Sequence, residues 1–190
     1  MHVIDRVFAS LALAALGFVF AGSAMAASAS DAGWHAGVIA SAGKIHPVPK
    51  NAVFMPDRAA TYKVVFALTH PGKDATEVSP ALERVARTVN LYASAGVPLD
   101  HLKFVAIAYG PATEIALDDA HYQQLHHVAN PNLPVIRELH QHGIEVAVCG
   151  QAVMEHHYRF EWVDPAVPVA LSALTTITEL QQQGYALMPL

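Results

Sequence analysis

The sequence predicts an α/β fold: a five-stranded parallel sheet with helices on both faces, three layers in all. Three observations predict it. Short, near-continuous apolar runs recur along the chain, which is the pattern of strands buried on both faces. Most are followed by a turn signal and then by apolar residues at helical spacing, and strands that alternate with helices form parallel sheets. The 190 residues suit a single domain with a real core, and the 53% hydrophobic residues, against 14% charged, are spread through these segments rather than gathered in one block.

The N-terminus departs from this pattern. Met1 to Arg6 is a short polar opening, Val7 to Phe20 is continuously apolar, and Ala24-Met25-Ala26 has the small-x-small form of a signal-peptidase site. The apolar run is shorter than the ~20 residues of a bilayer span. Residues 1–26 therefore read as a signal peptide cleaved after Ala26, with the mature chain exported to a periplasm and no membrane partner after cleavage. Residues 27–60 read as an extended lead-in arm. Its first part, Ala27 to Ala42, is rich in Ala, Ser and Gly and reads as loosely held, with Trp34 as its one large anchor; Pro47, Pro49 and Pro56 then exclude a long helix or a central strand.

The α/β domain is expected over residues 61–190. Lys63 to Thr69 is the first strand. Ser79 before Pro80 forms an N-cap with proline at the first helical position, and the helix Ala81 to Ser94 buries Leu82, Val85, Val89 and Tyr92 before stopping at Gly96. Leu102 to Ala108 is the second strand, closed by Tyr109-Gly110-Pro111. Ile115 to Val128 reads as a broken helical region, and a further helix starts at Pro131 or Asn132 and runs to Gly143. Ile144 to Val148 is the third strand, leading through Cys149 into a helix expected to end near Tyr158. Val167 to Leu171 is the fourth strand, placed near an edge by Pro168. Ser172 caps a helix ending at Gly184, and Tyr185 to Leu190 is the fifth strand.

Parallel strands would bring His70, Tyr109, Cys149 and Ser172 to one edge of the sheet, where ligands bind in open α/β folds. Cys149 is the only cysteine in the chain. In an oxidising compartment it cannot form an internal disulfide, so it is buried and inert, paired with another molecule, or kept as a reactive thiol. A helix N-terminus raises the thiolate fraction of a thiol, and the amides of Gly150 and Gln151 would serve that end. A lone cysteine after a buried strand also fits a small core residue, and Ser172 is first a helix cap.

The twelve histidines include His126-His127, His140-x-His142 and His156-His157. None forms an i, i+4 pair within a predicted helix, the spacing zinc helices use. Cys149 with His156 or His157 would need a helix running from the thiol through both. No metal and no cofactor is expected. The net charge of −5 argues against nucleic acid, whose phosphates need a basic face. Phosphate loops, dinucleotide fingerprints, CxxC pairs and GxSxG elbows do not occur.

The segments YKVVFALTH, GVPLDHLKFVAIAYGPAT, VAVCGQAVMEHHY and VALSALTTITELQQQGYALMP, in this order, resemble the DsrE/DsrF-like family, specifically its exported, signal-bearing branch. The resemblance covers nearly all of the chain from Tyr62. It implies a single α/β/α domain with a five-stranded parallel sheet, assembled as trimers or hexamers. It also implies a sulfur-handling role, since some members pass a persulfide on a cysteine at the strand-helix turn, the position of Cys149. Where the resemblance leads one to expect His before the Gly-Pro that follows the second strand, this chain has Tyr109. The expected function is sulfur handling through Cys149, as persulfide carrier or in thiol exchange, with a donor or acceptor protein or a small thiol as partner. The alternative is a non-enzymatic oligomeric subunit that binds a small ligand or a metal.

Overall fold

A computed structural model describes residues 33–190; the expected signal peptide and its cleavage site lie outside them. The sheet has the order β4-β3-β2-β1-β5, every neighbour pairing parallel. Its strands are β1 (Tyr62–Leu68), β2 (Leu102–Ala108), β3 (Glu145–Cys149), β4 (Val169–Ala170) and β5 (Ala186–Pro189). The helices are α1 (Pro80–Ser94), α2 (Asp119–His126), α3 (Leu133–Gln141), α4 (Gly150–Glu155) and α5 (Ala173–Gln182).

The two sheet faces are unequal. Val64, Phe66, Leu68, Phe104, Ala106, Val146 and Val148 point to one side and pack with Leu82, Val85 and Val89 of α1 and Ile136 and Leu139 of α3, forming the main core. Val65, Ile107, Ala147 and Cys149, alternating with them along the strands, point to the other side. There they meet Ala173, Ile177 and Leu180 of α5 and Ala152 of α4, a thin layer.

The predicted caps form. Ser79 Oγ accepts from the Leu82 amide with Pro80 at the first helical position, and Ser172 Oγ accepts from the Thr175 amide. Helices α1, α3 and α5 close with the same paired bonds: in α1 Val97 N–H donates to Tyr92 O and Gly96 N–H to Ala93 O, with Gly96 at φ +88°.

Three sequence-level expectations are corrected. Helix α4 ends at Glu155 rather than near Tyr158, because His157 takes the left-handed position (φ +58°) of the same closing motif, with Tyr158 N–H donating to Val153 O and His157 N–H to Met154 O. Strand β4 is two residues long, not five: Pro168 has no N–H to give, and Val167 N–H turns back to Asp164 O. The broken helical region expected from Ile115 to Val128 is present: it is the end of a 3₁₀ segment (Gly110–Ala116) followed by α2, which Asp118 caps through the His121 amide.

The third correction concerns the arm. Its described part is tied down, and the buried anchor is Ile39 rather than Trp34. Asn90 Oδ1 accepts from Ile39 N–H while Asn90 Nδ2 donates to the carbonyls of Ile39, Ala42 and Gly43. The Glu138 carboxylate accepts from the amides of Ala40 and Ser41 and from the Ser41 hydroxyl. Burial of Glu138 opposes its ionisation, but these donors and the His142 charge outweigh it and hold the carboxyl below its usual range.

Candidate functional site

The C-terminal ends of the strands place the predicted residues along one edge. Leu68 pairs with Ala108 and Ala108 with Val148, so His70, Tyr109 and Cys149 follow strands ending in register, and Cys149 pairs with Ala170, two residues before Ser172. Tyr109 and Cys149 lie on adjacent strands and pack in the same thin cluster with Ala152, Ala170 and Ala173. His70 follows β1, two strands from Cys149 and roughly 10 Å across the sheet. Its ring Nδ1 is 2.9 Å from Thr69 Oγ1. The edge therefore gathers Tyr109, Cys149 and Ser172 and leaves His70 apart.

Cys149 is the last residue of β3 and the N-cap of α4. Its Sγ accepts from the Ala152 amide at 3.5 Å, and the residue is 6% exposed. Helix α4 has six residues, so the hydrogen bond from Ala152, rather than a long helix dipole, is what the turn offers a sulfur anion. The amide that reaches Sγ belongs to Ala152, and neither the Gly150 nor the Gln151 amide does.

The turn is clamped on both sides. Toward β4, Gly150 lies so close to residues 169–171 that a Cβ there would sit 2.9 Å from Ala170 O and 3.2 Å from Val169 Cγ1. Gln151 Nε2 donates to Leu171 O at 3.3 Å. Toward β2, the His156 Nε2 lies 2.9 Å from Gly110 O, and the His156 ring stacks on Tyr158. An imidazole thus reaches the residue after Tyr109 from the C-terminal cap of α4 rather than from the position the resemblance suggests.

The remaining histidines mostly hold structure. His121 packs on Trp162 with Nδ1 2.8 Å from Asp118 Oδ1, and His140 Nε2 accepts from Val146 N–H. His126 Nε2 is buried 3.3 Å from Glu114 Oε2. Burial, with the Glu114 and Asp74 charges, pushes the Tyr122 hydroxyl up to about 12, and burial with Glu114 raises Tyr158. Glu114 gave no signal in the sequence beyond its polarity, since only the 3₁₀ turn after Gly110 brings it to His126. Among the described residues, no group of three His, Cys, Asp or Glu side chains is placed to hold a metal ion.

No curated protein matches the chain. Among solved structures it is similar to a protein of unknown function from Methanobacterium thermoautotrophicum, with 17% identity and a TM-score of 0.48, over 68% of this chain and 99% of that one. The model of the DsrE/DsrF-like family matches residues 62–190. That span holds every strand of the sheet and the cysteine turn, and the chain belongs to the DsrE/DsrF-like family.

Proposed function

We propose that this is an exported, periplasmic protein that handles sulfur through Cys149, as a persulfide carrier or in thiol exchange. The observation that carries the reading is the placement of the chain's only thiol at the C-terminal edge of β3, with the Ala152 amide donating to Sγ. In the loading step the Cys149 thiolate attacks the outer sulfur of a donor persulfide R–S–SH. The donor's S–S bond breaks, its inner sulfur leaves as the thiol R–SH, and the transferred sulfur stays on Cys149 as a persulfide. There is no net oxidation. An acceptor thiolate or cyanide reverses the step by attacking the outer sulfur of that persulfide.

The proposed organisation is a signal peptide over residues 1–26, an extended lead-in arm over 27–60 and the DsrE-like α/β domain over 61–190, acting as a trimer or hexamer. Leu171 and Leu174, 74% and 80% exposed beside the thiol turn, support the assembly. Tyr109, Gly150, Gln151 and Ser172 would shape the site. His70 would contribute only if a partner or a bound donor reached across the edge.

The test is to incubate the protein with glutathione persulfide, remove the donor, and read intact mass. One added sulfur atom in the wild type, none in Cys149→Ala, and release of thiocyanate on adding cyanide are the expected results. Failure to load overturns the reading. The low exposure of Cys149 favours a second reading, in which the thiol is packing or a ligand and the protein is a non-enzymatic subunit holding a small ligand or metal. Stoichiometric metal in protein purified without tags or chelators would support it.

A further inference from the structure

Cys149 is 6% exposed, so what reaches its sulfur depends on the two walls beside the turn. On the β4 side the wall is backbone, with Gly150 against the Ala170 carbonyl and Gln151 bonded to Leu171 O. On the β2 side it is the side chain of Tyr109, partly buried against the cluster that holds Cys149, Ala152 and Ala173. A ring in that place can swing unless its backbone is held.

The backbone is held at the next residue. Gly110 sits at φ +53° with open space where a Cβ would be, so packing does not confine it. Two side chains do. Thr113 Oγ1 donates to Gly110 O at 2.7 Å from within the same 3₁₀ turn, and His156 Nε2 lies 2.9 Å from the same oxygen. A carbonyl only accepts, so this nitrogen of His156 carries the ring proton. His156 thereby ties the Tyr109-Gly110 turn to the C-terminal cap of α4, the helix whose N-cap is Cys149. The residue is exposed, yet its ring is fixed a second time by stacking on Tyr158, 5.6 Å away at 18°, and Tyr158 packs on the main core. Holding an exposed side chain in one orientation costs rotamer freedom. The hydrogen bond and the stack offset that cost, and together they fix the turn that carries Tyr109.

We propose that Tyr109, positioned by His156 through the Gly110 carbonyl, is the size-selecting wall of the thiol site: Cys149 exchanges with slender, low-molecular-mass thiols and persulfides and excludes bulky ones by clash. Tyr109 meets the incoming sulfur compound; His156 is a positioning residue. This role rests on the reading of Cys149 as the working thiol, whichever sulfur species that thiol carries.

The experiment labels Cys149 in the folded full chain with iodoacetamide, which is slender, and with monobromobimane, which is bicyclic. Each rate is read by intact mass and divided by its value in the same protein unfolded in urea. His156→Ala should raise the bimane rate about fivefold over the iodoacetamide rate, the scale of one lost hydrogen bond. His156→Gln, whose amide can still donate to Gly110 O, should stay closer to the wild type. Tyr109→Ala should raise the same ratio at least as far, and His156→Ala added to it should change little, because both act on one wall. If His156 only held the fold together, its loss would have its full effect in the Tyr109→Ala background as well. That additivity, a ratio unmoved in both single variants, or a thiol that neither reagent reaches in the folded protein overturns the proposal. Loading with glutathione persulfide, run in parallel, separates the wall from the sulfur chemistry. A wild type that takes up no sulfur but keeps this labelling pattern loses only the sulfur-handling reading. A wild type that loads but shows no selectivity against bimane loses only the size-selecting wall.

Discussion

The α-carbon of Gly150 faces the Ala170 carbonyl oxygen so closely that a Cβ would lie 2.9 Å from it. The obstacle is backbone rather than a flexible side chain. Gly150→Ala is therefore expected to push the Cys149 turn away from β4, costing about 1–3 kcal/mol, the usual range for overpacking. Urea denaturation measures the cost. The rate of Cys149 alkylation should rise at the same time, since separating the turn from residues 169–171 opens the thiol.

Cys149→Ala removes a small buried side chain from the thin layer under α5. The expected stability loss is about 1 kcal/mol, because the deleted group is small. Persulfide loading should vanish entirely. A variant that still gained one sulfur atom would place the chemistry elsewhere in the chain.

Asn90 binds the arm through four hydrogen bonds to the backbone of Ile39, Ala42 and Gly43, all buried. Asn90→Ala would leave several buried backbone groups unpaired, at about 1–3 kcal/mol each where water cannot replace the partner. A loss of about 3 kcal/mol or more is expected in chemical denaturation, with faster hydrogen exchange at Ile39.

Glu138 carries the pH dependence of the same arm. Its folded-state pKa lies below its unfolded value, so its contribution is fully present above the unfolded carboxyl range and fades as pH falls through the folded value. Glu138→Gln should cost about 1–2 kcal/mol at neutral pH, an amount reduced by its partial exposure. The difference between variant and wild type should shrink on acidification. A constant difference across that range would mean the charge is not what the arm uses.

His157 occupies a left-handed position at the end of α4 where α1, α3 and α5 place glycine. His157→Gly should stabilise the protein by about 0.5–1 kcal/mol through relief of that conformation, read as a rise in the urea midpoint. Persulfide loading should be unchanged.

The same residue shows where the sequence stops being legible. Gly96, Gly143 and Gly184 announced the ends of three helices because glycine is the default for a left-handed closing residue. His157 announces nothing, so α4 read two residues or more too long. The arm was misjudged for a related reason: small residues from Ala27 to Ala42 look unanchored, but Gly37 and Gly43 are small so that Asn90 and α1 can approach, with a Cβ at Gly37 falling 2.3 Å from Asn90 Cγ. That approach is set by a residue 53 positions later, beyond any local pattern.

By itself the sequence determined the fold class, the five strands and their parallel run, the caps at Ser79 and Ser172, and the position of Cys149 at a strand-helix turn. These follow from local terms: the apolar period of each segment, the missing N–H of proline, and the side-chain oxygens that satisfy free amides. Only the tertiary structure decided the strand order, which separates His70 from Cys149 by two strands and sets Tyr109 beside it. It alone decided that the thiol is covered, because α5 and residues 169–171 close over that face of the sheet. Strand order and coverage are choices among distant pairings of similar apolar segments, and their energies depend on which surfaces meet in space rather than on which residues are neighbours in the chain.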